Sequence, residues 1–94
     1  MRARVMDLPP RLDLASCGPL VRSILSKRGA PLDLRVGKLE RVTTPGIQVL
    51  LAAAATWRGD GHRLRLTGQS EALEKAAQTL GLGLDAFTVK GITQ

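Results

Sequence analysis

The segment Thr43-Thr44-Pro45-Gly46, followed by the apolar run of residues 47–57, decides how the rest of the chain is interpreted. A threonine hydroxyl can cap the free N–H groups of a helix, and proline is tolerated at the first helical position because its missing N–H would have no partner there. We therefore predict that Thr44 is the N-cap of a helix that begins at Pro45 and ends at the turn of residues 59–61. Apolar side chains cover most of this helix, which places it at the centre of the core.

A helix is also predicted on each side of this central one. The first covers about residues 17–28, with Ser16 as its N-cap and Pro19 in its tolerant first turn. The third has Ser70 as its N-cap and closes at Gly81. Its first turn carries two glutamates, which the positive end of the helix dipole favours.

Four short segments have the character of strands. Residues 5–8 and 11–13 flank Pro9-Pro10, which cannot donate ladder hydrogen bonds, so the chain is expected to start with a hairpin or a bent strand. Residues 32–36 and 62–66 alternate apolar and polar side chains, the pattern of a strand with one buried face.

The order of these elements predicts an α/β fold. Strands that alternate with helices imply right-handed crossovers onto a mostly parallel sheet. Residues 37–41 are expected to be a connection, and the segment after Leu82 either adds a terminal strand or frays. The 94 residues suffice for one domain, 1–94, with a core over about 5–82 and a tail or extra strand over 83–94.

Composition places the protein among soluble cytoplasmic proteins. Apolar residues make up 44% and charged residues 23%, which is ordinary for a globular domain. The longest apolar stretch, residues 49–55, is far shorter than the roughly 20 residues of a membrane-spanning helix. Residues 1–7 are charged and contain no apolar run of the length of a signal peptide, so a secretory signal is not expected. The single cysteine, Cys17, fits a reducing compartment.

The charge balance favours an acidic partner without specifying one. Fourteen lysines and arginines against eight acids give a formal net charge of +6. The cations are spread along the chain, and Trp57 and Phe87 are its only aromatic residues. Because a platform of stacking aromatics and a basic recognition helix are both missing, nucleic-acid binding is not expected.

No catalytic or cofactor chemistry is predicted. His62 is the only histidine, and nothing in the sequence brings it together with Cys17 or Ser16 as a nucleophile. The acids are scattered singly, so no metal site is expected, and the glycine turns lack the spacing of a phosphate loop. Trp57 is expected in the core, with an exposed anchor for a partner as the alternative.

Taken together, the order and spacing of five segments resemble the STAS domain, a family named for sulphate transporters and anti-sigma factor antagonists. The resemblance extends from about Leu8 to Leu82 and is carried by residues 11–15, 32–36, 43–46, 59–66 and 70–82. It implies one layer of about four to five strands with helices mainly on one face. It also implies a partner-binding surface at the start of the second helix, formed by Thr43, Thr44, Pro45, Gly46 and Gln48.

In the anti-sigma antagonist branch of the family, a partner kinase phosphorylates a hydroxyl just before the glycine of this segment or one place earlier. Thr43 stands where that branch has an acid, and Pro45 stands immediately before the glycine, so the commonest acceptor is missing. Thr44 is the remaining candidate for phosphorylation, unless it serves only as an N-cap.

The resemblance implies a non-enzymatic regulatory module whose phosphorylation switch is altered. Its partner would be an anti-sigma or histidine-kinase-like protein in bacterial signalling, with chemotaxis as one setting. The alternative is a STAS subunit that regulates the ATPase of a lipid-transport ABC complex. A small enzyme or ligand-binding domain is disfavoured, since no titratable residues converge. Gly46→Arg is expected to block the helix start and leave the core intact.

Overall fold

A computed structural model describes residues 3–90 of the chain. Its strands are β1 (Arg4–Asp7), β2 (Arg11–Leu12), β3 (Leu32–Arg35), β4 (Arg41–Val42) and β5 (Leu64–Thr67). Its helices are α1 (Leu14–Leu25), α2 (Thr44–Asp60), α3 (Glu71–Thr79) and a short 3₁₀ helix (Leu84–Phe87). None of the helices in this described part combines the length and apolarity needed to cross a bilayer.

The strands pair in parallel, as predicted, but they form two sheets where one layer was expected. Three strands make one sheet in the order β1-β3-β5, and β2 pairs with β4 in a separate two-stranded sheet. The division falls at Pro9-Pro10, where two residues without an N–H interrupt the ladder. Of the two predicted alternatives, the hairpin is wrong and the bent strand fits, because β1 pairs with β3 and β2 pairs with β4. The chain instead follows one long path that bends between the two sheets.

Strand β4 was not predicted, and it begins at Arg41, the last residue of a segment that was expected to be only a connection. It is two residues long, too short for an alternating pattern to be visible in the sequence. Its position depends on a contact distant in sequence, since Thr43 N–H donates to the carbonyl of Leu12 at 2.9 Å. The pairing therefore follows from tertiary structure.

The three-stranded sheet has one apolar and one charged face. Leu32, Leu34 and Leu64 are at most 1% exposed and pack in one core with buried residues of all three helices. On the opposite face, Asp33 of β3 is paired in register with Arg65 of β5. Arg65 donates two hydrogen bonds to Asp33, at 3.2 and 2.8 Å. The helices therefore cover one face of this sheet, while cross-strand ion pairs occupy the other.

Helix α2 is central, as predicted, and begins one residue earlier than expected. Thr43 is the N-cap residue and Thr44 is the first helical residue. The helix ends at Gly61, whose φ of 74° is the left-handed conformation that glycine adopts without strain. Trp57 is fully buried, and its indole N–H donates to the carbonyl of Ala30 at 2.9 Å, so its expected place in the core is confirmed.

Helix α1 begins three residues before the predicted start, and its N-cap is Asp13 instead of Ser16. Pro19 consequently lies in the second turn, where it removes a helical hydrogen bond. The prediction for α3 is confirmed at its start: the Ser70 hydroxyl accepts from Leu73 N–H at 3.1 Å and itself donates to the Leu39 carbonyl at 3.2 Å.

The segment after Leu82 completes the core. Phe87, at the end of the 3₁₀ helix, is fully buried, and Val89 forms an antiparallel bridge with Leu64 at the edge of β5. The hydrophobic core therefore includes residues beyond Leu82. The last four positions of the expected tail, 91–94, lie outside the described residues.

Candidate functional site

The starts of α1 and α2 lie side by side because the strands that lead into them are paired. Leu12 at the end of β2 is in register with Val42 at the end of β4. One residue later in each strand comes the N-cap of a helix, Asp13 for α1 and Thr43 for α2. Two helix N-termini, each with the positive end of its dipole, therefore emerge from the same end of the small sheet.

Gly46 fixes the start of α2 against β2. It is buried, and a Cβ atom built on it would lie 2.6 Å from both the Cβ and the carbonyl oxygen of Leu12. Real Cβ atoms do not approach other atoms so closely, which means that only glycine fits here without a shift of backbone. The Thr43 hydroxyl adds a hydrogen bond of 3.2 Å to the same carbonyl.

This contact overturns the expectation that Gly46→Arg would leave the core intact. Any side chain at Gly46 is directed into Leu12, a fully buried residue of the core. A change at this position would therefore alter folding and partner binding together. Gly46 supports the site from beneath, and other residues must supply its accessible surface.

The accessible part of the site consists of Thr44 and Gln48, which are exposed one turn apart, and of half-buried Pro45 between them in sequence. Thr43 is also half-buried, with its hydroxyl held by Leu12. Thr44 thus carries the accessible hydroxyl of the segment. No side chain caps the first turn of α2, and that turn contains no acidic residue, so the positive end of the helix is not neutralised locally.

The acids with shifted pKa values lie away from the start of α2. Arg35 donates two hydrogen bonds of 2.7 Å to Asp7 at the end of β1, and these lower the pKa of that carboxyl. Hydrogen bonds from Arg28 likewise lower the pKa of Asp60, at the opposite end of α2. Both acids are held as carboxylates in ion pairs that join strands or helices, which is a structural arrangement.

The residues that were considered for nucleophilic chemistry are engaged locally. The Ser16 hydroxyl accepts from Asp13 N–H at 3.0 Å, and the Cys17 thiol donates to the Asp13 carbonyl at 3.1 Å. His62 lies beyond the C-terminal end of α2, where its backbone N–H donates to the Trp57 carbonyl at 3.0 Å. The fold does not bring His62 to the start of α1. Residues 3–90 contain no group of histidine, cysteine and acidic side chains that could hold a metal ion.

Two features of the site escaped the sequence reasoning. The packing of Gly46 on Leu12 has no local signal, since the two residues are 34 positions apart. The N-cap of α1 did have a local signal, because Asp13 followed three residues later by Ser16 has the spacing of a capping box.

The fold and site define the class of protein: an α/β domain whose helices cover one face of a small parallel sheet and whose second helix has an open N-terminus. A family model described as "Mlab, STAS domain" matches residues 2–88. The chain belongs to this STAS family, as the resemblance indicated. A comparison with curated proteins found no match. STAS domains are regulatory modules that generally bind other proteins, and membership gives this coarse function.

Proposed function

We propose that the protein is a non-catalytic, cytoplasmic regulatory module that binds a kinase-like or ATPase domain of a bacterial partner through the start of α2. Membership of the STAS family carries the general function. The exposure of Thr44 and Gln48, together with the lack of a side-chain cap or an acid in the first turn, supports this end of the helix as the contact surface. Such an end favours a negatively charged or hydrogen-bond-accepting partner group.

The first partner class is an anti-sigma or histidine-kinase-like protein, in signalling pathways that include chemotaxis. This partner would phosphorylate Thr44, whose exposed side chain is accessible to it. A phosphate there would add about −1.5 to −2 charges beside the positive end of α2, which stabilises the helix start and changes the charge that the partner meets.

The second partner class is the ATPase of a lipid-transport ABC complex. Pro45 in place of the usual phosphate acceptor supports this class, because a contact that works without phosphorylation needs no hydroxyl before the glycine. In that case Gln48 and the backbone N–H of Thr44 would bind the partner directly, and the Thr44 hydroxyl would remain unmodified.

Affinity capture from the source cells tests the surface. The bait is the wild-type protein, Gln48→Arg at the start of α2, or Gln78→Arg as a control that adds the same charge at an exposed position of α3. We expect wild type and Gln78→Arg to capture the same kinase-like or ATPase protein and Gln48→Arg to lose it. Capture of that protein by all three baits would contradict the proposed surface.

Mass spectrometry of the captured complex then separates the two partner classes. Phosphate on Thr44 that appears with ATP and the purified partner would identify a kinase-like protein. A stable complex with an ABC-type ATPase, and Thr44 unmodified, would identify the transporter class. Absence of any nucleotide-binding protein among the captured partners would contradict both proposed partner classes.

A further inference from the structure

A groove between α1 and α2 forms a second surface, separate from the exposed start of α2. Its walls are Val21 and Leu25 on α1 and Val49 and Thr56 on α2, and the small side chain of Ala52 lies on its rim. The lining is almost entirely apolar, with Thr56 as its one polar residue. An apolar concavity between two helices is the form that receives an amphipathic helix.

Helix α1 presents an unusual amount of apolar surface beside this groove. Leu14 is 77% exposed, Val21 is 38% exposed and Leu25 is 46% exposed. Their spacing of seven and four residues places them on one side of the helix. They are half of the large hydrophobic side chains that are exposed among residues 3–90, and two of them, Val21 and Leu25, line the groove itself one turn apart.

The charges of the two helices indicate what kind of occupant fits. Segments 14–28 and 44–60 contain four cations, Arg22, Lys27, Arg28 and Arg58, and one acid, Asp60. Asp60 is already paired with Arg28 at 2.7 Å, an ion pair that joins the C-terminal ends of the two helices. Within the described part of the chain, Arg22 on the exposed side of α1 has no carboxylate within ion-pair distance. The groove is thus apolar within, and the two segments that form it carry an excess of cations, with exposed Arg22 next in sequence to Val21 of the lining.

We propose that the α1–α2 groove binds an amphipathic helix of a partner protein, with apolar residues at positions i, i+3, i+4 and i+7 and acidic residues on its flanks. Charge complementarity favours this occupant over a second copy of the chain, which would bring the same excess of cations to the interface. A flat lipid surface fits less well, because it cannot reach Ile24 and Ala53, which are buried at the floor of the groove.

This surface is independent of the proposed contact at the start of α2. Leu25 and Ala52 line the groove, whereas Thr44 and Gln48, on which that contact depends, do not. Loss of one therefore leaves the other measurable.

The test uses two synthetic helical peptides of about fifteen residues, the length of a short isolated helix, with the same leucines on one face. One has glutamate at every flanking position and the other has lysine. Binding to the 94-residue protein is measured by calorimetry and by NMR chemical shifts. We expect the glutamate peptide to bind at least about tenfold more tightly, with shifts concentrated at Val21, Leu25 and Ala52.

Variants locate the binding site. Leu25→Glu should weaken the glutamate peptide by about tenfold or more, since it places a charge in the apolar contact and repels the peptide flanks. Leu80→Glu, at a leucine that is 45% exposed just after α3 and does not line the groove, is the matched control and should bind as wild type does. Arg22→Gln should weaken binding of the glutamate peptide and, because it removes a repulsion, strengthen binding of the lysine peptide.

Several results would overturn the proposal. Equal binding of the two peptides would show that charge does not select the occupant. Equal effects of Leu25→Glu and Leu80→Glu would show that the peptide does not bind in the groove. Sedimentation that shows a dimer broken by Leu25→Glu would assign the groove to a second copy. Binding to anionic vesicles that is lost in the same variant would assign it to lipid.

Discussion

Helices α1 and α2 begin next to each other, after paired strands, yet their first turns are built in opposite ways. In α1, Asp13 and Ser16 exchange hydrogen bonds in a capping box that satisfies both ends of the turn. In α2, Thr43 makes no capping hydrogen bond and instead directs its hydroxyl to the Leu12 carbonyl of the neighbouring strand. The start of α1 is stabilised within its own sequence, and the start of α2 is stabilised by β2.

The difference separates a structural role from a binding role. The capping box of α1 occupies the Ser16 N–H, so part of that turn is already satisfied. The first turn of α2 has no side-chain cap and no N–H at Pro45, so it keeps its positive potential and the Thr44 N–H but needs another source of rigidity. Gly46 on Leu12 supplies that rigidity without covering Thr44 or Gln48.

The largest effect is expected when the support of α2 is disturbed by Gly46→Ala. Alanine is ordinarily preferred over glycine within a helix by about 1 kcal/mol. Here the added methyl group meets Leu12, and such overpacking costs about 1–3 kcal/mol. We expect a net loss of stability in urea unfolding. Gly59→Ala, in the last turn of the same helix, meets nothing within 4 Å and should stabilise the protein. If Gly46→Ala stabilised the protein as much as Gly59→Ala does, the close packing of Gly46 against Leu12 would be contradicted.

A smaller effect is expected from the caps themselves. Asp13→Ala removes the capping box of α1 and should lower the free energy of unfolding by about 1 kcal/mol. Thr43→Val removes a hydroxyl that caps nothing, while Thr43 N–H still donates to the Leu12 carbonyl. It should therefore cost less than Asp13→Ala in the same denaturation experiment. The reverse order would show that the two helix starts had been assigned wrongly.

The smallest effect concerns the charge at the open end. Thr44→Asp places a carboxylate in the first turn of α2 and should raise the free energy of unfolding by about 0.3–1 kcal/mol at low salt. Thr44→Lys should lower it, and both differences should shrink as salt screens the dipole. Thermal unfolding of wild type and both variants at two salt concentrations measures these differences in stability. Identical stability of the Asp and Lys variants would mean that the end of α2 is already neutralised.

Much of the fold could be predicted from local signals. The helix at 44–60 followed from proline before a long apolar run, and the start of α3 from Ser70 ahead of two glutamates. The predicted start of α1 was wrong because two N-cap candidates compete there. Ser16 is a good N-cap residue by itself, but Asp13 three positions earlier forms reciprocal hydrogen bonds with it. Pro19 did not prevent the longer helix, since packing of Leu20 and Ile24 in the core holds that turn.

The site was harder to predict than the fold because its support is not local. The sequence drew attention to residues 43–48 as a helix start, and they do form one. It contained no sign that Gly46 is closed off by Leu12 or that β4 pairs with β2, since both depend on how distant segments meet. No local signal in α1 separates exposed Val21 and Leu25 from buried Leu20 and Ile24, since all four are large apolar residues.

The burial of Trp57 gives the protein a built-in optical reporter. The chain has one tryptophan and no tyrosine, so its ultraviolet emission comes from a single position in the core. The indole N–H donates to Ala30, the residue two positions before β3, so the fluorophore senses both α2 and the loop that enters the central strand. Its emission should therefore shift to longer wavelength when this contact opens to water, without any attached dye.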